Sequence, residues 1–422
     1  MDTTLNEVAV PNKEYLELTF TMETATGKGL NNRFVMENLH NGLFQITEGR
    51  IGITIGLHKP KVYTLLIDEW DNVYRKKIEL GYTLFSTEKV DVKKISKNSQ
   101  SLNGENFKPL EDKGVANIIR RLISFTNNLM EEEYTVKVEN ISETMIERGR
   151  NILNELADNY EKMSISEFNN KLKVLFAVIP RRIDNLSKSL AKRNADFRNI
   201  IASEQELFDV MVSQIKGLEI KKTADKTILE GYNLDWREVD EKEEAWIRNK
   251  LGNEGHRYVR AWRITNNATE ERFNQFCKKA DITEENGGIH RLFHGSRSEN
   301  FWSIITTGLT INPKGVVITG KMFGNGTYFA PDACKSMGYT DRSGSRWANG
   351  SQATGFLGIY KVAVGNAAAP NCAKAYSYNA LKKDGYHSVW CKRGGQIGLR
   401  MDEIVVYQDC QDTIEYLVEV GM

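Results

Sequence analysis

The chain has 422 residues, of which 40% are hydrophobic and 27% charged, a balance typical of folded globular proteins and long enough for two or three domains. Composition therefore excludes a fibrous or disordered chain. The 57 basic and 56 acidic residues nearly cancel, so any contact with nucleic acid must come from a local patch.

The cysteines and the N-terminal residues bear on the cellular compartment of the protein. The five cysteines stand far apart, without the paired spacing of a zinc site or a disulfide framework. We therefore expect a reducing compartment and no metal. The N-terminus has no basic-then-apolar signal, and no run approaches the roughly 18 apolar residues of a membrane span. These features predict a protein that is neither secreted nor embedded in a membrane.

The first ninety residues predict a small sheet with one helix. Residues 15–22 alternate apolar and polar side chains, as a half-buried strand does, and further strands are predicted at 33–36, 43–47 and 51–57. Apolar residues at 62, 65, 66, 70 and 73 then recur at helical spacing. We expect an antiparallel sheet covered on one face by that helix, within residues 1–90.

A polar stretch and a helical region follow. Residues 91–106 are assigned as a linker because nothing there is periodic enough to be buried. Apolar stripes then predict an all-α helical bundle over residues 107–228. Ser164 with Glu167 and Ser203 with Glu206 match the capping box that begins a helix.

The region 229–422 is rich in predicted strands. A helix is expected around Trp246, and strands at 258–264, 355–364, 403–408 and 413–420. An antiparallel two-sheet core fits these strands. The fold class is therefore α+β and multidomain.

One stretch of this last region concentrates the residues that can carry chemistry. His294-Gly295-Ser296 ends a short apolar strand, where a glycine allows a ligand to approach the backbone. A helix is expected over 300–307 and stops at Gly308. A β-rich segment then carries Tyr328, and a small helix from 331 is expected to place Ser336 and Tyr339 on one face. Such a site suits a flat polar ring.

The order of these motifs resembles the donor site of poly(ADP-ribose) polymerases. The matching residues run H-G-S-R, helix, G-L, T-G-x-M-F-G-x-G-x-Y-F-A and K-S-x-x-Y, and they extend to Gly385–Val389 and to Asp402–Tyr407. The resemblance implies a catalytic triad of His294, Tyr328 and Glu403. No glycine-rich strand-to-helix motif is present, so the expected NAD+ site is not of the Rossmann type.

The resemblance and the chemistry of the side chains together assign the expected binding residues. The backbone of Gly295 and the hydroxyl of Ser336 suit the carboxamide of nicotinamide, between the rings of Tyr328 and Tyr339. NAD+ as substrate is expected to contact His294, Gly295, Ser296, Asn300, Gly320, Tyr328, Ser336 and Tyr339. Met322 and Lys335 are expected on the acceptor side.

Two further resemblances concern the preceding regions. Gly49-Arg50 and Gly52 resemble the core of the WGR domain, which implies DNA binding through Gly49 and Arg50, with Arg75 able to add a phosphate contact. Glu48 stands where that family has tryptophan, and an ordinary β-turn with a solvated arginine is the alternative interpretation. The helical region resembles the regulatory domain that restrains access to the donor site in DNA-dependent members.

These resemblances imply an enzyme that cleaves the nicotinamide–ribose bond and transfers ADP-ribose to protein acceptors, itself included, and to growing chains, stimulated by DNA breaks. A mono-ADP-ribosyltransferase is one alternative, because Arg400-Met401-Asp402 depart from the usual L-Y-N before the glutamate. A DNA-end-binding scaffold with a silent donor site is the other. We expect a monomer, in the cytoplasm of a bacterial host or the nucleus of a eukaryotic one.

Overall fold

The computed structural model describes residues 10–23, 28–50, 59–87, 107–136, 141–219, 225–311, 322–343 and 352–421. The chain divides into two compact units: residues 1–99 with 130–208, and residues 100–129 with 209–422. Helices and antiparallel sheets are both present, as the α+β prediction requires. The boundaries expected at 91, 107 and 229 stay predictions.

The first unit contains an antiparallel sheet with one helix on it. Its elements are β1 (Tyr15–Glu23), β2 (Gly29–Asn38), β3 (Leu43–Arg50), β4 (Lys61–Leu66), α1 (Trp70–Glu79) and β5 (Thr83–Ser86). The strand order is β4-β3-β2-β1-β5. Trp70 and Tyr74 of α1 are buried against Leu18 and Phe34, because the alternating strands turn their apolar side chains to one face.

One predicted helix of this unit is partly wrong. Residues 61–66 form the edge strand β4, and the helix begins only at Trp70. Val62 and Leu66 are 58% and 60% exposed, so their spacing does not reflect a buried helical face. The strand predicted at 51–57 lies outside the described residues.

Helices make up the rest of the first unit, and two of them extend into the second. They are α2 (Lys113–Glu133), α3 (Glu143–Asn159), α4 (Ile165–Val178), α5 (Leu186–Ser189) and α6 (Phe197–Glu219). Ser164 and Glu167 form the predicted capping box of α4. The box predicted at Ser203 is wrong, because that serine lies inside α6 and begins no helix.

The second unit holds two further sheets. Its elements are α7 (Ile228–Tyr232), β6 (Leu234–Glu238), α8 (Glu241–Lys250), β7 (Tyr258–Asn266), α9 (Asn267–Ala280), β8 (Ile289–Gly295), α10 (Ser298–Thr307), β9 (Thr327–Phe329), α11 (Ala333–Met337), β10 (Thr354–Ala363), β11 (Ala367–Ala368), α12 (Tyr378–Lys383), β12 (Ser388–Cys391), β13 (Glu403–Val406) and β14 (Asp412–Gly421). The sheet orders are β6-β7-β14-β10-β8 and β11-β12-β13-β9. All pairs are antiparallel except β11 with β12, which is parallel.

The first half of α2 packs into the core of these sheets. Val115, Ile119 and Leu122 are buried in one cluster with Trp262 and Phe301. Two polar contacts add to this packing. Arg121 pairs with Glu419 of β14 at 2.9 Å, and the hydroxyl of Thr126 donates to the carbonyl oxygen of Glu299 at 2.8 Å.

Candidate active site

Strand β8 ends at Gly295 with its backbone groups aimed at one edge. Phe293 exchanges two backbone hydrogen bonds with Ala330, at 2.8 and 3.0 Å. Hydrogen-bonding groups alternate between the two edges along a strand, so the N–H and C=O of Gly295 point to the edge that Phe293 uses. One donor and one acceptor therefore lie side by side, which is the arrangement that a carboxamide can pair with.

A close approach of α11 explains why residue 295 is glycine. A Cβ added to Gly295 would overlap the carbonyl oxygen of Ser336. The buried Ser336 hydroxyl donates to the carbonyl oxygen of Phe293 at 3.1 Å. The structure thus brings Gly295 and Ser336 together, as the family resemblance implies.

Tyr339 lies beyond the helix that carries Ser336. Helix α11 ends at Met337, so the prediction that both side chains share a helix face is wrong. A turn follows instead, in which the N–H of Tyr339 donates to the carbonyl oxygen of Ser336 at 3.1 Å. Burial, and after it the charge of Glu403, raises the pKa of Tyr339.

The ring of His294 is held in one orientation. Its Nδ1 lies 3.0 Å from the carbonyl oxygen of Tyr328. A carbonyl oxygen only accepts, so Nδ1 carries the proton of this hydrogen bond. The rings of Phe329 and Tyr360 meet the imidazole edge-on, with centroids at 5.8 and 6.0 Å. His294 is therefore fixed by both a hydrogen bond and packing.

Tyr328 is anchored to the turn that precedes it. Its hydroxyl accepts from the N–H of Phe323 at 2.9 Å and donates to the carbonyl oxygen of Gly324 at 3.1 Å. Tyr407, the residue after β13, donates to the carbonyl oxygen of Phe323 at 2.7 Å and so holds the same turn. Burial, followed by the charge of Glu403, raises the pKa of Tyr328. The phenol is therefore neutral and its ring direction is set.

Glu403 shares a face of the second sheet with Tyr328. Tyr328 lies opposite Val405, and Glu403 lies two residues before Val405, so the two side chains are diagonal neighbours. The Nζ of Lys335 donates to Oε1 of Glu403 at 2.5 Å and to the carbonyl oxygen of Asp402 at 3.3 Å. Both charged side chains are largely buried, at 13% and 11% exposure.

The second carboxylate oxygen of Glu403 has a different environment. Among the residues that the structure describes, Oε2 is buried and has no hydrogen-bond partner. A buried oxygen of this kind is costly unless something donates to it. A ribose hydroxyl is such a donor, so the arrangement fits NAD+ as the molecule bound here.

The expected acceptor and adenosine sides are described in part. Met322 is exposed. Asp402, one of the departures from the family pattern, accepts from Trp390 Nε1 and from the N–H of Arg393, each at 2.9 Å. Asn300 donates to the hydroxyl of Ser296 at 2.9 Å. Gly320 lies outside the described residues.

The DNA-binding candidates all lie in the first unit. A Cβ added to Gly49 would come within 2.9 Å of the backbone of Pro60. Arg50 ends β3 opposite Asn32, and Arg75 is exposed on α1. Glu48 pairs with the Nζ of Lys77 at 2.7 Å.

Sequence reasoning missed several contacts that shape the site. Lys335 was expected on the acceptor side, with no signal that it pairs with a glutamate far along the chain. Asp341 accepts from the N–H of Ser298 at 2.5 Å and so fixes the start of α10. The contact of Tyr360 with His294 also had no sequence signal, since residue 360 looks like any other apolar strand position.

The two sheets, the glycine-ended strand and the buried carboxylate define an ADP-ribosyltransferase class of site. Residues 242–396 match the poly(ADP-ribose) polymerase catalytic domain. Glu403 lies just beyond that match. A poly(ADP-ribose) polymerase-like protein of Invertebrate iridescent virus 6 is 32% identical over 158 residues, which cover 36% of this chain and 79% of the relative. The chain belongs to the poly(ADP-ribose) polymerase family.

Two other relatives match different lengths of the chain. An uncharacterized protein of the same virus is 25% identical over 201 residues, 48% of this chain and 79% of the relative. Poly(ADP-ribose) polymerase 2 of Homo sapiens is 42% identical over 74 residues, 18% of this chain and 12% of the relative. The protein is thus an NAD+ ADP-ribosyltransferase.

Among the described residues, no group of three histidine, cysteine, aspartate or glutamate side chains could hold a metal ion. No helix in the described ranges is both long and apolar enough to cross a membrane.

Proposed function

We propose that the protein cleaves the nicotinamide–ribose bond of NAD+ with Glu403 as its catalytic carboxylate. It transfers the ADP-ribose to protein acceptors, itself included, and to growing chains. The observation that carries this proposal is the buried Glu403, with Lys335 on one oxygen and no partner on the other among the described residues.

The chemistry requires little more than one placed carboxylate. Loss of nicotinamide leaves a positive charge on the ribose, and the leaving group is neutral, so it needs little acid assistance. Oε2 of Glu403 accepts from a ribose hydroxyl, and its negative charge stabilises the developing cation. The same carboxylate then polarises the hydroxyl of the attacking acceptor. Lys335 holds the carboxylate in place through Oε1.

The remaining residues position the two ends of NAD+. The backbone of Gly295 pairs with the carboxamide of nicotinamide, Ser336 lies beside it, and Tyr328 and Tyr339 flank the ring. An aromatic pair of this kind contributes about 0.5–1.5 kcal/mol beyond burial. His294 holds the adenosine ribose, with Asn300 on the same side.

Radiolabelled NAD+ followed on a gel tests the reaction. Polymer formation gives a ladder of labelled protein, whereas transfer of single units gives one band. Mono-transfer is the second candidate, because Arg400-Met401-Asp402 depart from the L-Y-N that usually precedes the glutamate in the family, and the Asp402 carboxylate is hydrogen-bonded to Trp390 and Arg393. If no label reaches protein and no nicotinamide is released, both polymer formation and mono-transfer are contradicted.

We further propose that the first unit binds broken DNA through Arg50, Gly49 and Arg75. Arg50→Ala should then weaken binding largely independently of sequence and reduce its salt dependence, because phosphate contacts position a protein without reading bases. Fluorescence anisotropy with nicked and blunt DNA at two salt concentrations, beside NAD+ turnover, is the measurement. If the protein does not bind nicked DNA and nicked DNA does not raise NAD+ turnover, the first unit binds some other partner.

The helical region is proposed to restrain the donor site, and a single hydrogen bond from α2 allows this proposal to be tested. Thr126 donates to Glu299 at the start of α10, the helix that also carries Asn300. Thr126→Val removes this bond and should raise NAD+ turnover without DNA, since it shifts the population away from the restrained state. Thr83→Val removes a similar hydroxyl-to-carbonyl bond in the other unit and is the matched control. Unchanged basal turnover would exclude restraint through this contact.

A further inference from the structure

Tyr360 of β10 lies behind the imidazole of His294. Its ring is almost fully buried and meets the imidazole nearly perpendicularly, with an interplanar angle of 82°. The ring of Phe329 packs against both, with its centroid 5.8 Å from that of His294 and 5.5 Å from that of Tyr360. The three rings therefore form one packed cluster.

A glycine makes room for this contact. Gly358 lies directly opposite His294 in the ladder between β10 and β8. A Cβ added to Gly358 would overlap the ring of Tyr360 at Cε2. The Tyr360 side chain thus leans along its own strand over Gly358 to reach His294, which a side chain at 358 would prevent.

The hydroxyl of Tyr360 takes no part in this arrangement. It is buried and has no hydrogen-bond partner within the described ranges, and the same holds for Oδ2 of the nearby Asp412. An unpaired buried hydroxyl destabilises a fold. The feature that matters at this position is therefore the aromatic ring.

We infer that Tyr360 is a positioning residue, which fixes the imidazole of His294 for the adenosine-side ribose of NAD+ through its ring and through the gap at Gly358. This inference rests on the proposed role of His294. The proposed nicotinamide end uses Gly295, Ser336 and the rings of Tyr328 and Tyr339, and none of these four residues belongs to the cluster of three rings. Loss of the Tyr360 ring should therefore affect one end of the ligand and not the other.

Titration calorimetry with two fragments separates the ends. ADP-ribose probes the adenosine side, and nicotinamide probes the Gly295 side. Tyr360→Leu should weaken ADP-ribose binding roughly two- to tenfold, the effect of losing one aromatic contact, and leave nicotinamide binding unchanged. Tyr360→Phe keeps the ring and should bind both fragments like the wild type. Phe273→Leu, at a buried aromatic residue in another cluster, is the matched control for general destabilisation.

A second variant tests the same contact from the opposite strand position. Gly358→Ala should displace the Tyr360 ring and weaken ADP-ribose binding, but add little in a Tyr360→Leu background, because the two changes act on one contact.

The outcomes are distinct. Tyr360→Leu that binds ADP-ribose like the wild type overturns the inference, and so does an equal loss of both fragments or an equal loss in Phe273→Leu. A wild-type protein that binds both fragments but never releases nicotinamide from NAD+ contradicts the proposed function. The effect of Tyr360→Leu on fragment binding still tests the positioning role in that case.

Discussion

Replacing Glu403 by glutamine tests the proposed chemistry most directly. The amide keeps the size of the side chain and can still accept from Lys335, but it supplies no negative charge to the cation that develops on the ribose. The site is largely water-excluded, since Glu403 and Lys335 are 13% and 11% exposed, so little solvent is present to replace that charge. Removing one preorganised electrostatic contact from such a site lowers the turnover number about 10²- to 10³-fold, or about 2.7–4 kcal/mol.

The assay is steady-state release of nicotinamide, with KM for NAD+ measured beside the turnover number. KM should stay close to the wild-type value, because the lost interaction acts mainly in the transition state. Asp402→Asn is the matched control: it removes a neighbouring carboxylate that is bonded to Trp390 and Arg393 and, on this reasoning, does not meet the ribose. A folded Glu403→Gln protein that releases nicotinamide at the wild-type rate would remove Glu403 from the mechanism.

Three further predictions concern the site, the core and pH. Gly295→Ala should lower kcat/KM for NAD+ roughly 100-fold because its Cβ overlaps the backbone of Ser336, whereas Gly395→Ala, with its nearest atom at 3.6 Å, should not. Leu122→Ala should cost about 2–5 kcal/mol in urea unfolding of the second unit, although it lies in the predicted helical region; a smaller loss would exclude it from that core. The hydrogen bond from Arg237 lowers the pKa of Glu243 to about 2 from an ordinary 4.5, so its contribution to stability is present above 4.5 and lost as pH falls toward 2. Glu243→Gln should flatten urea stability over that window, and an unaltered slope would contradict this.

The elements were most predictable where one face of a strand or helix is buried. The alternation at 15–22 became β1, and the helix predicted at 300–307 became α10 with Gly308 as its stop. Residues 62–66 misled because they form an exposed edge strand, where no buried face imposes a period. The capping box predicted at Ser203 was wrong because a serine followed by a glutamate three residues later also occurs inside helices.

The site shows a similar division. The motifs predict which segments supply His294, Tyr328 and Glu403, because each motif carries a local signal. The contacts between segments had no such signal. Lys335 meets Glu403 only because α11 and β13 lie side by side in the fold, and Tyr360 meets His294 only because residue 358 is glycine. Long-range pairs of this kind follow from packing and not from spacing.

Glu48 is explained by its own surroundings. The side chain of Lys77 is 16% exposed, and its ammonium lies 2.7 Å from Glu48 and 4.0 Å from the centroid of the Phe34 ring. A buried ammonium needs a counter-charge, so a tryptophan at residue 48 would leave Lys77 unpaired unless Lys77 changed as well. The carboxylate is thereby neutralised within the first unit, and its repulsion of a phosphate is smaller than that of a free glutamate. The departure at residue 48 therefore argues for a different local packing more than against the proposed DNA contact of Arg50.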